Sequence, residues 1–500
     1  MVTFAGLKSG FQNCYVALAW LALVWAVGNS VYVYLVLGGE RTFRVESAAF
    51  ILVGVLLPRI FWRPSVGQLE PVLTATDNSL LMLLALSLWL LTLGPFLTLP
   101  FLSDDYVFLA SYKRLSDVLS VGHFFRPAFG LVFLLMAQVG NGSPVPFHVL
   151  ALIIHGVSAS CVYVLSRRLF RRTDAATFCF AIFLLNPLQL EAVLWVSGLQ
   201  ELLWTLFVLV GLVVYTGARL LAVSRLAVTL ALMACALLSK ETAISSVLLL
   251  PAADWVFFKM KRGRLLPAAY VGFGIVAAVY LFARTQVAQI ESGYFVTPGK
   301  YFVQKFVGTP YKFFVQPWNV TAVDIPAIVL CCAAVTSLAV LFSAVVHGTG
   351  AIALAGPAVI LFSTLPVYAY FFVAPDLRAT RYLYFAAIGW ALLVTQLLTT
   401  VAVRRRALTV AFAAFIVILF ASLQVNAKPW RTAGEIVDSV ATAIREGTSP
   451  ELNAADWQAR YGSGLELKDG IPTVYKGVYL FVNGYPELRT LLMHSEPNGR

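Results

Sequence analysis

Long apolar stretches, separated by short polar ones, run through most of this chain. Windows of roughly 17 to 25 mainly apolar residues are long enough to cross a hydrocarbon core as a helix. Such windows lie near 13–37, 47–62, 79–101, 147–169, 174–190, 202–221, 226–242, 243–258, 265–284, 326–346, 350–373, 382–403 and 407–424. The pattern therefore predicts an all-α polytopic membrane protein with about thirteen transmembrane helices.

The composition agrees with this fold class. Of the 500 residues, 60% are hydrophobic and 12% are charged, whereas about a quarter of the residues in a typical soluble domain are charged. This balance excludes an ordinary soluble protein, a disordered chain and a disulfide scaffold. The six cysteines all lie in apolar runs without a CxxC spacing, so they indicate neither a zinc site nor a compartment.

Basic residues cluster at 167–172, 259–264 and 404–406. In our assignment of spans these clusters share one side of the membrane, and basic loops are usually cytoplasmic. The sequence thus predicts a cytoplasmic amino terminus and an exterior carboxyl terminus. Since this bias also explains the net charge of +12, the charge does not indicate a nucleic-acid partner.

Three polar segments then lie together on the exterior face: 102–146, 285–325 and everything after 425. Helical spacing in the first predicts two amphipathic helices on the membrane surface, at about 106–119 and 124–139. After Trp430, charges and turn residues predict a small exterior α/β domain with a helix over 431–446 and a strand over 474–482. The predicted domains are extra N-terminal transmembrane helices (1–78), a transmembrane core (79–425) and the C-terminal domain (426–500).

Candidate chemistry lies at the predicted exterior ends of the spans. Asp104 and Asp105 follow one span directly, and other charged or aromatic residues end their neighbours: Arg126, Glu191, Trp195, Lys240, Glu241 and Arg381. A carboxylate beside a cavity can take a proton from an acceptor hydroxyl while cations hold a departing phosphate. This pattern suits sugar transfer from a lipid phosphate. Solvated span ends and snorkelling cations are the alternative interpretation of the same residues.

Several motifs occur in a fixed order along 79–430. They are Asp104-Asp105, Arg126-Pro127, Phe147-His148 with His155, Asn186-Pro187 with Glu191, Trp195 and Gly198, Ser239-Lys240-Glu241, and Arg381-Tyr-Leu-Tyr384. Taken together, this set resembles the GT-C glycosyltransferases, specifically the protein O-mannosyltransferases and their bacterial relatives that use polyprenyl-phosphate sugars. The chain departs from that pattern at Thr380, where the family usually has Glu, and at Leu199-Gln200, where it usually has Arg.

The resemblance implies roles for single residues. Asp104 matches the family's catalytic acid and would act as general base, with Asp105 as its partner. Glu191 would shape the substrate site, together with Trp195 and Glu241. Arg126, Lys240 and Arg381 would neutralise the polyprenyl phosphate, a task suited to cationic side chains.

The resemblance also implies the reaction and its partners. The expected activity is inverting transfer of a sugar from a polyprenyl-phosphate donor to a protein, lipid or polysaccharide on the exterior face of a bacterial inner membrane. No cofactor is required, and a divalent metal near His123, His148 and His155 is a less favoured option; helix packing is the preferred interpretation of His155. A lipid transporter or flippase is the alternative function, and an inactive scaffold of the same fold is a third.

Overall fold

The computed structural model describes residues 75–119, 124–217, 221–246, 249–250, 253, 265–287, 350–368, 378–401, 405–450 and 454–494. The predicted spans near 13–37, 47–62 and 326–346 lie outside these residues, as do most of 243–258 and nearly all of the predicted loop 285–325. The total of thirteen spans therefore stays a prediction.

The described chain is mostly helical, with one small sheet. The helices are α1 Ala75–Leu93, α2 Asp104–Ser111, α3 Pro127–Gly140, α4 Val145–Phe170, α5 Thr173–Leu184, α6 Leu190–Leu194, α7 Leu199–Thr216, α8 Ala222–Ser239, α9 Leu265–Val287, α10 Gly350–Tyr368, α11 Ala386–Val401, α12 Arg405–Arg445, α13 Ala454–Tyr461 and α14 Tyr485–His494. Short 3-10 helices lie at Gly94–Phe96, Leu115–Leu119, Pro187–Gln189, Val196–Gly198, Glu241–Ser245, Thr380–Leu383 and Gly462–Gly464.

Six helices of the described chain are long and apolar enough to cross a membrane: Ala75–Phe96, Val145–Phe170, Val196–Thr216, Ala222–Ser239, Ala268–Val287 and Phe412–Arg445. A seventh candidate is Thr173–Leu184 with Pro187–Leu194, a pair bent by 47°. The bend occurs where Pro187 starts the second helix and the Asn186 side chain accepts a hydrogen bond from the Leu188 N–H at 2.9 Å. These helices confirm a multi-pass membrane protein.

The predicted surface helices of 102–146 are present with different bounds. The first, predicted over 106–119, is divided into α2 and the 3-10 helix Leu115–Leu119. The second corresponds to α3, which ends at Asn141 in the left-handed conformation with φ 46°, a common way to end a helix. Their position relative to a bilayer stays a prediction.

The predicted domain boundary at 425/426 falls inside a continuous helix. Helix α12 spans 41 residues and contains Pro429 without ending there. Beyond this proline, buried apolar side chains continue at helical spacing: Ala433, Ile436, Val437, Val440 and Ile444. Since that face packs against the sheet and α14, the change in composition near Trp430 marks a change of surroundings along one helix. The predicted helix 431–446 is the end of α12.

The sheet of the C-terminal domain is a three-stranded antiparallel meander. Its strands are β1 Leu465–Lys468, β2 Ile471–Tyr475 and β3 Val478–Tyr479. The single strand predicted over 474–482 is wrong, because a turn at Lys476-Gly477, with φ of 42° and 85°, interrupts it. A two-residue turn with both φ values positive favours glycine at its second position and reverses the chain tightly.

Two helices that frame the candidate site touch at glycines. A methyl group added to Gly389 in α11 would lie 2.5 Å from the Gly356 oxygen in α10. Because only glycine permits so close an approach, the two backbones pack directly. This contact fixes the start of α11, immediately after the 3-10 helix Thr380–Leu383 that carries Arg381.

Candidate functional site

The adjacent carboxylates of Asp104 and Asp105 have different surroundings at the start of α2. Asp105 is 1% exposed. Its oxygens accept hydrogen bonds from the Leu102 N–H at 2.9 Å, from the Ser197 N–H at 2.7 Å and from the Ser197 hydroxyl. Burial raises the pKa of Asp105 to about 7 although these hydrogen bonds lower it. Asp105 therefore ties the start of α2 to the 3-10 helix Val196–Gly198.

Asp104 is half-buried and contacts the C-terminal domain. Its Oδ1 accepts a hydrogen bond from the Asn483 side-chain amide at 2.6 Å. Ser103, immediately before it, has φ 46° and ψ −115°, a strained conformation for a residue other than glycine. The Ser103 N–H donates to the Leu480 oxygen at 2.6 Å, and its hydroxyl accepts from the Asn483 N–H at 3.3 Å. The C-terminal domain thus holds the backbone that presents Asp104.

Glu191 and Arg381 form a buried ion pair. The Glu191 carboxylate accepts from the Arg381 guanidinium, from the Arg381 N–H at 2.8 Å and from the Thr380 hydroxyl at 3.3 Å. Thr380, a departure from the family pattern, therefore supports the same pair. The guanidinium carbon also lies 4.7 Å from the Trp195 ring centre, 4.6 Å from that of Tyr382 and 5.7 Å from that of Tyr479.

Trp195 connects this ion pair to the carboxylate loop. Its indole N–H donates to the Leu102 oxygen at 3.0 Å, and its ring lies beneath Arg381. Tyr479, in β3, packs on Trp195 with the ring centres 5.6 Å apart. Asp104, Asp105, Trp195, Glu191 and Arg381 therefore belong to one network of contacts.

Arg126 and Glu241 form a second ion pair, with two hydrogen bonds. Arg126 Nε donates to Glu241 Oε2 at 2.8 Å, its Nη2 donates to Oε1, and its Nη1 donates to the Gln200 side chain. Burial alone would raise the pKa of Glu241, but the adjacent Arg126 charge lowers it to about 2. Glu241 therefore stays ionised over the physiological pH range.

Lys240 forms a third ion pair, with Glu201. Its ammonium donates to Glu201 Oε1, and the Trp204 indole donates to the other oxygen. The ammonium also lies 4.6 Å from the centre of the Tyr382 ring, the ring that Arg381 contacts. Burial lowers the pKa of Lys240, and the Glu201 charge opposes that shift. Tyr382 thus links the Lys240 and Arg381 pairs.

The structure brings the predicted cations together, and each has an acidic partner. Arg126, Lys240 and Arg381 supply three positive charges, and Glu241, Glu201 and Glu191 supply three negative ones. We call these six residues the ion-pair cluster. The cluster is therefore neutral overall.

Sequence reasoning missed several residues of the network. Asn483 lies more than 280 positions from Asp104, as Tyr479 does from Trp195, and neither belongs to a recognised motif. Ser197 lies next to the motif residue Gly198, so the motif placed it nearby without indicating its partner. The Arg381-Tyr-Leu-Tyr384 motif contained Tyr382, but its aromatic ring was not assigned a role.

His148 and His155 occupy helix-packing positions. His155 contacts the Tyr384 hydroxyl at 2.7 Å and the Leu184 oxygen at 3.3 Å, and His148 contacts the Leu99 oxygen at 2.9 Å. The packing role expected for His155 is confirmed. His123 lies outside the described residues. Among those described, no three His, Cys, Asp or Glu side chains gather as they would around a metal ion.

Comparisons with known proteins agree with the motif pattern. No protein-family model matches the chain. The human protein O-mannosyl-transferase TMTC3 is 30% identical over 127 residues, which are 25% of this chain and 14% of that protein. This match confirms the predicted resemblance to protein O-mannosyltransferases over that part of the sequence.

Two solved structures also align with most of the chain. Both are ArnT from Cupriavidus metallidurans, one bound to undecaprenyl phosphate and one in the apo state. They cover 85% and 82% of this chain and 89% and 86% of their own, at 15% identity and TM-scores of 0.41 and 0.37. These scores are too low to establish a shared fold.

Proposed function

We propose that this protein is a GT-C type membrane glycosyltransferase. It transfers a sugar from a polyprenyl-phosphate donor to a hydroxyl of a protein, lipid or polysaccharide acceptor on the exterior face of the membrane. The observation that carries the proposal is that Trp195 connects the loop before Asp104, a half-buried carboxylate, to Arg381 of the ion-pair cluster. The ordered motifs and the sequence match to TMTC3 support it.

The proposed reaction is a single displacement with inversion. Asp104 takes the proton of the acceptor hydroxyl while the acceptor oxygen bonds to the anomeric carbon. The bond between that carbon and the phosphate oxygen breaks, and its electron pair leaves with the polyprenyl phosphate. Within the described residues, the hydrogen bond from Asn483 to Oδ1 is the only one to the Asp104 carboxylate, which leaves Oδ2 for the acceptor.

The ion-pair cluster would hold the phosphate that leaves. A departing phosphomonoester gains negative charge, so nearby cations stabilise it more strongly than they stabilise the bound donor. Lys240 donates to Glu201, and Arg381 Nη1 donates to Glu191. An ammonium has three donors and a guanidinium five, so both groups keep donors for phosphate oxygens. The glutamates would hold the cations in place before the donor binds.

Asp105 and Glu191 have supporting roles in this proposal. Asp105 holds the loop that presents Asp104, since its oxygens accept from Leu102 and Ser197. Glu191 orients Arg381 through its side chain and backbone. His148 and His155 have no role in the proposed reaction, since they contact backbone or tyrosine oxygens.

The test is sugar transfer from radiolabelled polyprenyl-phosphate hexoses into membrane fractions. The native chain is compared with Asp104→Asn at equal expression. We expect incorporation with the native chain and its loss in the variant. The label found in protein, lipid or polysaccharide identifies the acceptor class.

A different result would replace the proposal. If the native chain transfers nothing from any donor, yet moves the lipid across vesicle membranes equally well with Asp104→Asn, the protein is a flippase. Transfer by both proteins at equal rates would instead retain the transferase and remove Asp104 as its base.

A further inference from the structure

We propose that Asn483 of the C-terminal domain is a positioning residue for the base Asp104. The inference rests on the proposed glycosyltransferase function. Asn483 Nδ2 donates to Asp104 Oδ1 at 2.6 Å, which fixes the plane of the carboxylate and directs Oδ2 toward the acceptor. The C-terminal domain, which the sequence predicted as a small exterior domain, then completes the active site.

The backbone around Asn483 is anchored to the loop before α2. The Ser103 N–H donates to the Leu480 oxygen at 2.6 Å, and the Asn483 N–H donates to the Ser103 hydroxyl at 3.3 Å. Both hydrogen bonds involve Ser103, the residue immediately before Asp104. The backbone that presents Asn483 is therefore tied to the loop that presents Asp104.

The close approach of this backbone to Ser103 requires glycine at the next residue. Gly484 has φ 84°, and a methyl group added to it would lie 2.2 Å from the Ser103 oxygen. Both the positive φ and the missing space favour glycine. The Phe481 ring, two residues before Asn483, stacks on Tyr106 of α2 with ring centres 6.1 Å apart. The contact between the domain and α2 is a packed interface.

The same domain also reaches the ion-pair cluster. Tyr479 lies 5.7 Å from the Arg381 guanidinium and packs on Trp195, and Glu466 in β1 pairs with Arg378, three residues before Arg381. Tyr479 contacts Arg381, and Asn483, four residues later, contacts Asp104. The domain therefore fixes the base relative to the proposed phosphate site.

The chemistry of an amide suits this position. A neutral donor stabilises the ionised carboxylate without adding charge beside it. Other titratable groups on α2 and on the elements packed against it include Asp105, Tyr106, Asp438, Arg445, Tyr485, Glu487 and Arg489. Asp105 is buried and turned toward Ser197. Asn483 is thus the residue whose replacement alters the hydrogen bond to Asp104 directly.

The first experiment is Asn483→Asp, with transfer rates measured from pH 5 to pH 9.5. Two carboxylates in hydrogen-bond contact share one proton near neutrality, as two like charges cannot both be ionised there at low cost. We expect the acidic side of the pH–rate profile to move up by about one unit or more, with activity returning at high pH. An unchanged profile in a folded variant would overturn the inference.

Gln458→Glu is the matched control. Gln458 is exposed on α13, and its amide donates to the Gly462 oxygen at 2.9 Å within the same domain. The change likewise replaces an amide by a carboxylate, but away from Asp104. We expect its pH–rate profile to match that of the native chain, whereas an equal shift would assign the effect to the charge of the domain.

A second measurement keeps the inference testable if Asn483→Asp does not fold. Asn483→Ala removes the donor, and we expect kcat to fall roughly 10-fold with little change in donor KM. In the Asp104→Asn background the same change should have no further effect on residual transfer, because the two residues act as a unit. Equal losses in both backgrounds would overturn the inference. A native chain without transfer would instead remove the proposed function.

Discussion

Asp104 and the ion-pair cluster both lie at the ends of apolar helices, but their charged groups have different surroundings. Asp104 is half-buried and accepts a hydrogen bond from one neutral amide. In the cluster, each cation contacts a carboxylate, and Lys240, Glu201 and Glu191 are almost fully buried. A half-exposed group can change its protonation at low cost, whereas a buried pair resists any change in charge. Asp104 is therefore suited to proton transfer, and the cluster to keeping its charged side chains in fixed positions.

Removing the charge of the Asp104 carboxylate should affect the transfer rate far more than the stability of the protein. We expect Asp104→Asn to lower kcat by about 10³-fold, within the range for loss of a general base. The free energy of unfolding should stay near that of the native chain, since the variant keeps the size of the side chain. Transfer assays and unfolding in detergent micelles measure both. A large loss of stability would place Asp104 with the structural charges.

Removing one charge from the cluster should lower the stability of the protein strongly. Glu191→Gln leaves Arg381 buried without its counter-ion, and we expect a loss of about 3 kcal/mol in the free energy of unfolding. Chemical unfolding in micelles measures this loss. The double variant Glu191→Gln with Arg381→Met should recover part of it, because no buried charge is then left unpaired. Full stability of the single variant would contradict the contrast with Asp104.

The pH dependence of stability should identify Asp105. Its pKa is raised from 3.8 to about 7 by burial, so between these values the native protein holds a proton that the unfolded chain releases. Stability is then greatest at low pH and falls as pH rises, by about 2 kcal/mol between pH 5 and pH 7. Unfolding measured across this range should lose that slope in Asp105→Asn. The same slope in both proteins would assign it to another group.

The smallest effect should come from the exposed ion pair at the edge of the domain. Arg378 and Glu466 have side chains 28% and 50% exposed. Pairs of this kind contribute less than about 1 kcal/mol, and salt weakens them. We expect Arg378→Ala to change the melting temperature slightly at low salt and not at high salt. A loss as large as that of Glu191→Gln would show that exposure does not separate the two kinds of pair.

The sequence predicted those features of the fold that depend on local composition. The span predicted over 147–169 corresponds to Val145–Phe170, and the one over 174–190 to the bent pair that starts at Thr173. Length and hydrophobicity determine such helices, so a single window is sufficient to find them. The two positive-φ turns of the sheet carried a local signal, glycine at Gly470 and Gly477, which the predicted single strand overlooked.

The sequence did not predict which side chains meet. The motifs gathered Arg126, Lys240 and Arg381 as cations for a phosphate. Their pairing with carboxylates became visible only when helix ends more than 30 residues apart were brought together. The Asp104–Asn483 contact spans 379 positions, and an asparagine in a loop has no local pattern that indicates such a partner. Prediction from one sequence therefore found the residue types of the site without their pairing.

The length of helix α12, 41 residues, sets the distance between the membrane span and the C-terminal domain. At 1.5 Å per residue the helix is about 60 Å long, about twice the thickness of a hydrocarbon core. It carries a membrane span at one end and the C-terminal domain at the other, so its length sets the height of Asn483 and its helical phase sets the direction in which Asn483 faces. One residue inserted after Arg431 would raise the domain by only about 1.5 Å but turn it by about 100°. We therefore expect insertions and deletions in this part of α12 to add or remove whole helical turns.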